Sequence, residues 1–267
     1  SLSDVPDIID TWNEGNVADV EGYYENAKIN RVYVDRVHVK KAFAEYTAAY
    51  NADDPKIKLK IDHTYRVAAL CERIAKAAGM CAYDVELAWL SGMLHDIGRF
   101  EQIKRYNTFS DADSVDHAKF GADLLFKDGL ISTFLNGMVK CTGYKPGALE
   151  DRYSSDGVFL YDRLNKSDME MLELAIRCHN MYRIPQGLNS REQAFCNVLR
   201  DADKVDIFKV NIDTPLEEIY NTTTEELMKS DITDEVLEAF DEEHCILKAI
   251  RRTPADTVIG HVSLAYE

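Results

Sequence analysis

The chain has 267 residues, of which 46% are hydrophobic and 29% charged, and a formal net charge of −16 from 47 acidic against 31 basic residues. That length allows one large domain or one domain with an appendage, and the apolar-to-charged balance is that of a folded globular protein. The acidic field repels polyanions, which argues against tracking a nucleic-acid backbone or docking on an anionic membrane.

The start, SLSDVPDIID, carries neither a basic region nor an apolar run, so no signal peptide is expected there, and the missing initiator Met points to a trimmed N-terminus. No apolar stretch reaches the roughly 18 residues of a membrane-spanning helix. Six cysteines are scattered without a CxxC pair, which favours buried reduced thiols and a cytoplasmic setting over a disulfide framework or a zinc ribbon.

The pattern is helical nearly throughout. Residues 1–34 are acidic and weakly periodic and are expected to form a peripheral segment packed on the domain. RVYVDRVHV alternates briefly like a strand before a helix sets in, and Asp53-Asp54-Pro55 breaks that helix. A long helix is predicted from Ile57 to Ala78, with Leu59, Val67, Leu70 and Ile74 on one face and Gly79 as its stop. The next runs from Tyr83 to a His-Asp pair, His95-Asp96, with Gly98 just beyond. RFEQIKRYNTFSDADS reads as a loop with room for a short turn of helix, and Ser114 is the expected cap of a helix through HAKFGADLLF. LISTFLNGMVKC predicts another helix and TGYKPGALEDRYSSDG a polar, turn-rich connection. SDMEMLELAIRCHNMY is a capped helix followed by Pro185, and a long helix capped by Asn189 or Ser190 runs through SREQAFCNVLRDADKVDIFKV. Residues 211–267 are expected to form a helical extension of short amphipathic pieces, a solvated cover or a homo-oligomer contact.

Four histidines and two aspartates fall on separate helical segments: His63, His95 with Asp96, His117, His179 and Asp203. Taken singly, a histidine on a helix is more often packed or exposed than a ligand. In conjunction, helices lying side by side can aim these groups at one interior point, enough to hold two metal ions. Imidazole and carboxylate suit Fe, Mn, Zn, Co or Ni, with Mg at an oxygen-rich position. Asp96 has two oxygens and can bridge two ions. Asp201, two residues before Asp203, is turned about 200° away and is expected to act outside the ligand shell. Arg99 can clamp a phosphate with its planar fork, with Arg66 and Lys204 as further candidates. His38, His244 and His261 lie outside the pattern.

The order H…HD…H…H…D, with the wording KIDHTYRVA, LHDIGRFEQ, DHAKFGADLLF, CHNMYRIP and RDADKVDIF, resembles a bacterial branch of the HD-domain superfamily of metal-dependent phosphohydrolases over roughly Val37 to Val210. The resemblance implies an all-α HD-domain helical bundle over residues 35–210. His63, His95, Asp96 and Asp203 would form its primary metal site, and His117 and His179 would join a second. It implies hydrolysis of a nucleotide or other small phosphoester by a metal-activated water, with Asp96, Arg99 and Lys204 at the reaction centre. Two departures stand out. Asn180 and MYRIP replace the second histidine and GYP motif of the cyclic-dinucleotide branch, and Arg99 stands where many members have lysine. The same ligand count also resembles a branch that holds a mixed-valent di-iron centre and oxidises inositols or phosphonates. A third reading is a non-catalytic nucleotide-binding sensor.

Overall fold

A computed structural model describes residues 31–32, 34–51, 53–135, 159–160, 164–213, 215 and 222–266. Helices dominate: α1 (Arg36–Thr47), α2 (Pro55–Ala77), α3 (Ala82–Leu94), α4 (Ile97–Tyr106), α5 (His117–Ala122), α6 (Ile131–Leu135), α7 (Lys166–Cys178), α8 (Ser190–Asp213), α9 (Thr224–Lys229), α10 (Asp234–Asp241) and α11 (Pro254–Val262). A short parallel pairing of β1 (Arg31–Val32) with β2 (Phe159–Leu160) is the one sheet among the described residues. The protein is all-α in class. The readings made on residues 1–30, 136–158, 161–163 and 216–221 lie outside the described residues.

Local signals start the helices. Asp54 caps α2 by accepting from Lys56 N, with Pro55 at the first position, where a missing N–H costs nothing. Asn165 and Asp168 form a reciprocal capping box on α7, and Asn189 with Glu192 does the same for α8. α5 is capped by Asp116, which accepts from Lys119 N, and not by Ser114. The Ser114 hydroxyl donates to Ser110 O and accepts from Gln102, so it ties the preceding loop instead.

The segment expected as a loop after the His-Asp pair begins with a helix. α4 buries Ile97, Phe100 and Ile103 on one stripe, and Asn107 ends it in the left-handed region at φ 53. Gly98 lies inside α4 rather than at a turn. A Cβ there would stand 2.3 Å from His117 O and 2.7 Å from Gly121 N, so the glycine is needed for a backbone crossing with α5. Gly92 serves α3 in the same way, where a Cβ would meet Ala68 Cα of α2 at 2.6 Å.

The core lies between α2, α3, α7 and α8. Val67, Ala68, Cys71, Leu87, Leu90, Leu94, Leu172, Ile176, Phe195 and Leu199 are all buried within it. Leu87, Ala88, Leu90, Met93 and Leu94 make α3 apolar on nearly every side, as a central helix must be. The C-terminal pieces dock through buried Cys245 and Ile246, and Tyr182 donates to Cys245 O at 2.9 Å. α11, one of the short C-terminal helices, starts at a Thr253–Asp256 capping box, and Asp256 also accepts from Thr233 N. Cys71, Cys81, Cys178, Cys196 and Cys245 are free thiols. No helix among the described residues is long and apolar enough to cross a membrane.

Candidate metal centre

α3 ends at Leu94, and His95 and Asp96 form the bend into α4. The bend lets two consecutive side chains face one point instead of diverging by about 100°. α2 brings His63, α5 brings His117 at its first position, the end of α7 brings His179, and α8 brings Asp203. His63, His95, Asp96, His117 and His179 are all buried, none more than 5% exposed.

These groups divide into two clusters that share Asp96. In the first, His63 Nε2 lies 3.2 Å from His95 Nε2 and 3.1 Å from Asp203 Oδ1. Asp96 Oδ2 stands 3.5 Å from both imidazoles. In the second, His117 Nε2 and His179 Nε2 are 3.1 Å apart, and Asp96 Oδ1 stands 3.6 and 3.8 Å from them. Each carboxylate oxygen of Asp96 therefore belongs to a different cluster.

The other ring nitrogens fix the imidazoles. Nδ1 of His95 and His179 bonds to the carbonyls of Gly92 (2.8 Å) and Ile176 (2.7 Å), so in each ring Nδ1 carries the proton and Nε2 presents a lone pair. Nδ1 of His63 meets Asp206 at 2.6 Å, and Nδ1 of His117 meets Asp111 at 2.7 Å. Carboxylate partners of this kind hold the tautomer and raise the basicity of a ligating histidine. The Nε2 lone pairs of His117 and His179, 3.1 Å apart, repel unless a cation lies between them. At a bond length of about 2.1 Å, atoms sharing one cation stand about 3.0 Å apart at a right angle and about 3.4 Å apart at the tetrahedral angle. The donor set thus fits divalent transition-metal ions in both chemistry and spacing. His63, His95 and Asp203 form one potential ligand group and His95, Asp96 and His179 another. In a third group, Asp111, Asp116 and His117, Nδ1 of His117 and Nδ2 of Asn180 already satisfy the carboxylates.

Several partners were not legible in the sequence. Lys60 Nζ lies 2.7 Å from Asp96 Oδ2. Asp111, from the loop before α5, accepts from Arg99 (2.9 Å), Gln102 (3.0 Å) and His117. Asp206 holds His63 and is gripped by Arg66 at 2.6 and 2.9 Å. One signal was available: Asp206 follows Asp203 by three residues and Arg66 follows His63 by three, so each pair shares a helix face. Arg66, expected at the substrate, is engaged here with Asp206. Asp201 is exposed on α8. Lys204 is half-buried, one residue beyond Asp203.

Burial and like charge set the protonation. Burial pushes His117 and His179 down to about 4, with Arg99 adding to the effect at His117 and His95 at His179. Burial lowers His95 as well. At His63, burial and Lys60 pull downward, but hydrogen bonds to Asp203 and Asp206 outweigh them and raise it. Burial opposes ionisation of Asp96, yet Lys60, His95, His117 and Arg99 hold it well below the usual carboxylate range. Outside the centre, burial with Arg251 and Lys248 pushes His261 to about 4.

A histidine whose folded pKa is depressed makes the unfolded chain the better proton binder between about pH 6.5 and about pH 4. His117, His179 and His261 all act in this sense, and His63 opposes them. Stability of the metal-free protein is therefore expected to fall as pH is lowered through that window. A series of Tm values from pH 7 to pH 4 checks this, and a Tm that stays level or rises on acidification contradicts it.

The family model of the HD domain matches residues 61–252, a span that begins two residues before His63 and contains all six groups of the two clusters. No curated protein and no solved structure matches the chain. With a match over more than half its length, the chain belongs to the HD-domain family.

Proposed function

We propose that the protein is a metal-dependent phosphohydrolase that cleaves a small phosphoester, with a nucleotide as the first substrate class to test. The observation that carries this reading is the pair of histidine clusters joined by the two oxygens of Asp96. His63, His95, Asp203 and Asp96 would hold one ion, and His117, His179 and Asp96 a second. Divalent ions bound there supply Lewis acidity, which activates water and neutralises charge on phosphoryl oxygens.

The chain's own groups do the rest. Asp206 and Asp111 hold His63 and His117 in orientation. Arg99 is fixed by three acceptors, Gln102 Oε1, Phe109 O and Asp111 Oδ1, at 2.7–2.9 Å. Its Nε is buried without a hydrogen bond and lies 3.7 Å from Asp96 Oδ1. A buried, unmet donor on a rigid cation beside the clusters suits a phosphoryl oxygen. We therefore assign the phosphate contact to Arg99 ahead of Arg66, which grips Asp206, and of Lys204, which lies about 100° round α8 from Asp203.

The test is a panel of phosphomonoesters and phosphodiesters, nucleotides included, assayed after loading with Mn2+ or Co2+ and again after chelation. Turnover that needs the ions is the expected result; turnover that survives full metal removal rejects the proposal. Four histidines and two aspartates also suit a mixed-valent di-iron pair. Iron content with EPR of partly reduced protein decides between hydrolysis and oxidation. Tight nucleotide binding with no turnover under any metal would instead favour a sensor.

A further inference from the structure

Lys60 stands one turn before His63 on α2, so both side chains lie on the face that looks into the centre. Its ammonium meets Asp96 Oδ2 at 2.7 Å, closer than either imidazole of that cluster. The side chain is 18% exposed, and Asp96 is the one carboxylate it pairs with among the described residues. Its Nζ lies 5.4 Å from the centre of the Phe109 ring, and the guanidinium carbon of Arg99 lies 5.7 Å from the same ring. Phe109 thus groups two cations at the two oxygens of Asp96, Lys60 at Oδ2 and Arg99 towards Oδ1.

We propose that Lys60 is a phosphate-binding residue which Asp96 holds in place until divalent ions engage that carboxylate. The proposal rests on the phosphoester reading above. A carboxylate oxygen cannot be fully shared by a divalent ion and an ammonium without weakening both contacts, since the two cations repel each other. Once Asp96 turns its charge to the ions, Lys60 is a half-buried cation with no carboxylate partner. Such a charge is costly until an anion replaces the one it lost. A phosphoryl group beside Arg99 and the ions supplies that anion, and charge-assisted hydrogen bonds from an ammonium hold it. Lys60 therefore disfavours metal and favours phosphate, and it makes the two bind in order.

Calorimetry with Mn2+ alone, then with inorganic phosphate on the Mn2+-loaded protein, reads both effects. In Lys60→Met, phosphate affinity is expected to drop by at least about tenfold, the loss of one charge-assisted contact, while Mn2+ binds no more weakly than in the wild type. Lys60→Arg is expected to stay within about threefold of wild type for phosphate, because it keeps the charge. Lys60→Gln keeps a donor for Asp96 without the charge. It is expected to show the same opposed pattern as Lys60→Met, and it carries the test if the methionine variant does not fold. Phosphate affinity unchanged in the neutral variants overturns the proposal. Parallel loss of Mn2+ and phosphate binding also overturns it, since that marks Lys60 as a structural partner of Asp96. If the wild type shows this binding pattern but hydrolyses nothing on the panel, the hydrolase reading fails and the role of Lys60 stands.

Discussion

Replacing Asp96 by Asn is expected to empty the proposed metal centre and to abolish metal-dependent turnover. The substitution keeps shape and volume but deletes the charge that both clusters share, Oδ2 towards His63 and His95 and Oδ1 towards His117 and His179. Loss of an outer partner of a metal ligand already costs about 10–100-fold in affinity, so loss of a shared carboxylate should cost at least about a hundredfold. The neutral amide also leaves Lys60 with no carboxylate at 2.7 Å, a half-buried charge without its partner. His179→Ala, by contrast, removes no member of the His63, His95 and Asp203 group. Elemental analysis after equilibration with Mn2+ should find almost no metal in the Asp96 variant and about half the wild-type complement in the His179 variant. An Asp96→Asn protein that retains the full wild-type content would refute the bridging assignment.

The second large effect is expected from a single added methyl group. Gly98→Ala would place a Cβ 2.3 Å from His117 O and 2.7 Å from Gly121 N, against backbone atoms that have no rotamer with which to yield. α4 and α5 must separate. Overpacking of this kind costs about 1–3 kcal/mol, and backbone contacts sit at the upper end. For a chain of this size that lowers Tm by roughly 5–10 °C. His117 follows Asp116, the cap of α5, so a shift of that helix start also draws its imidazole from His179 and Asp96. The variant should therefore lose stability and second-cluster metal together. Gly187→Ala is the control: its φ of 81 carries strain, but nothing lies within 4 Å of the added methyl. An unchanged Tm and metal content in Gly98→Ala would show that the α4–α5 crossing is not constrained as described.

Much of the architecture was legible because helices announce themselves locally. The stripe Val67, Leu70 and Ile74, the proline at the start of α2 and the Asn189 cap of α8 need no tertiary information. The reading of RFEQIKRY as a loop with at most a short turn of helix underestimated α4, which begins before Gly98 and runs to Tyr106. Glycine after an apolar run signals a turn in most settings, but here it sits within a helix to admit another backbone. α11 was covered only by the general expectation of short helices over residues 211–267, although Thr253-Pro254 and Asp256 form a readable start.

The candidate site divides along the same line. Residue type and order, read together with the resemblance to the HD-domain pattern, single out His63, His95, Asp96, His117, His179 and Asp203, since imidazole and carboxylate are the side chains that bind such ions. Only the tertiary structure decided that Asp96 faces two clusters, that Asp206 and Asp111 hold two of the imidazoles, that Arg66 serves Asp206, and that Lys60 reaches Asp96. Those contacts join residues up to 143 positions apart in sequence, and the local chain hints at them only through the three-residue spacings of Asp206 from Asp203 and Arg66 from His63. A metal-binding residue carries its chemistry in its own side chain, whereas a supporting partner is defined by what the packing of helices places within hydrogen-bond reach.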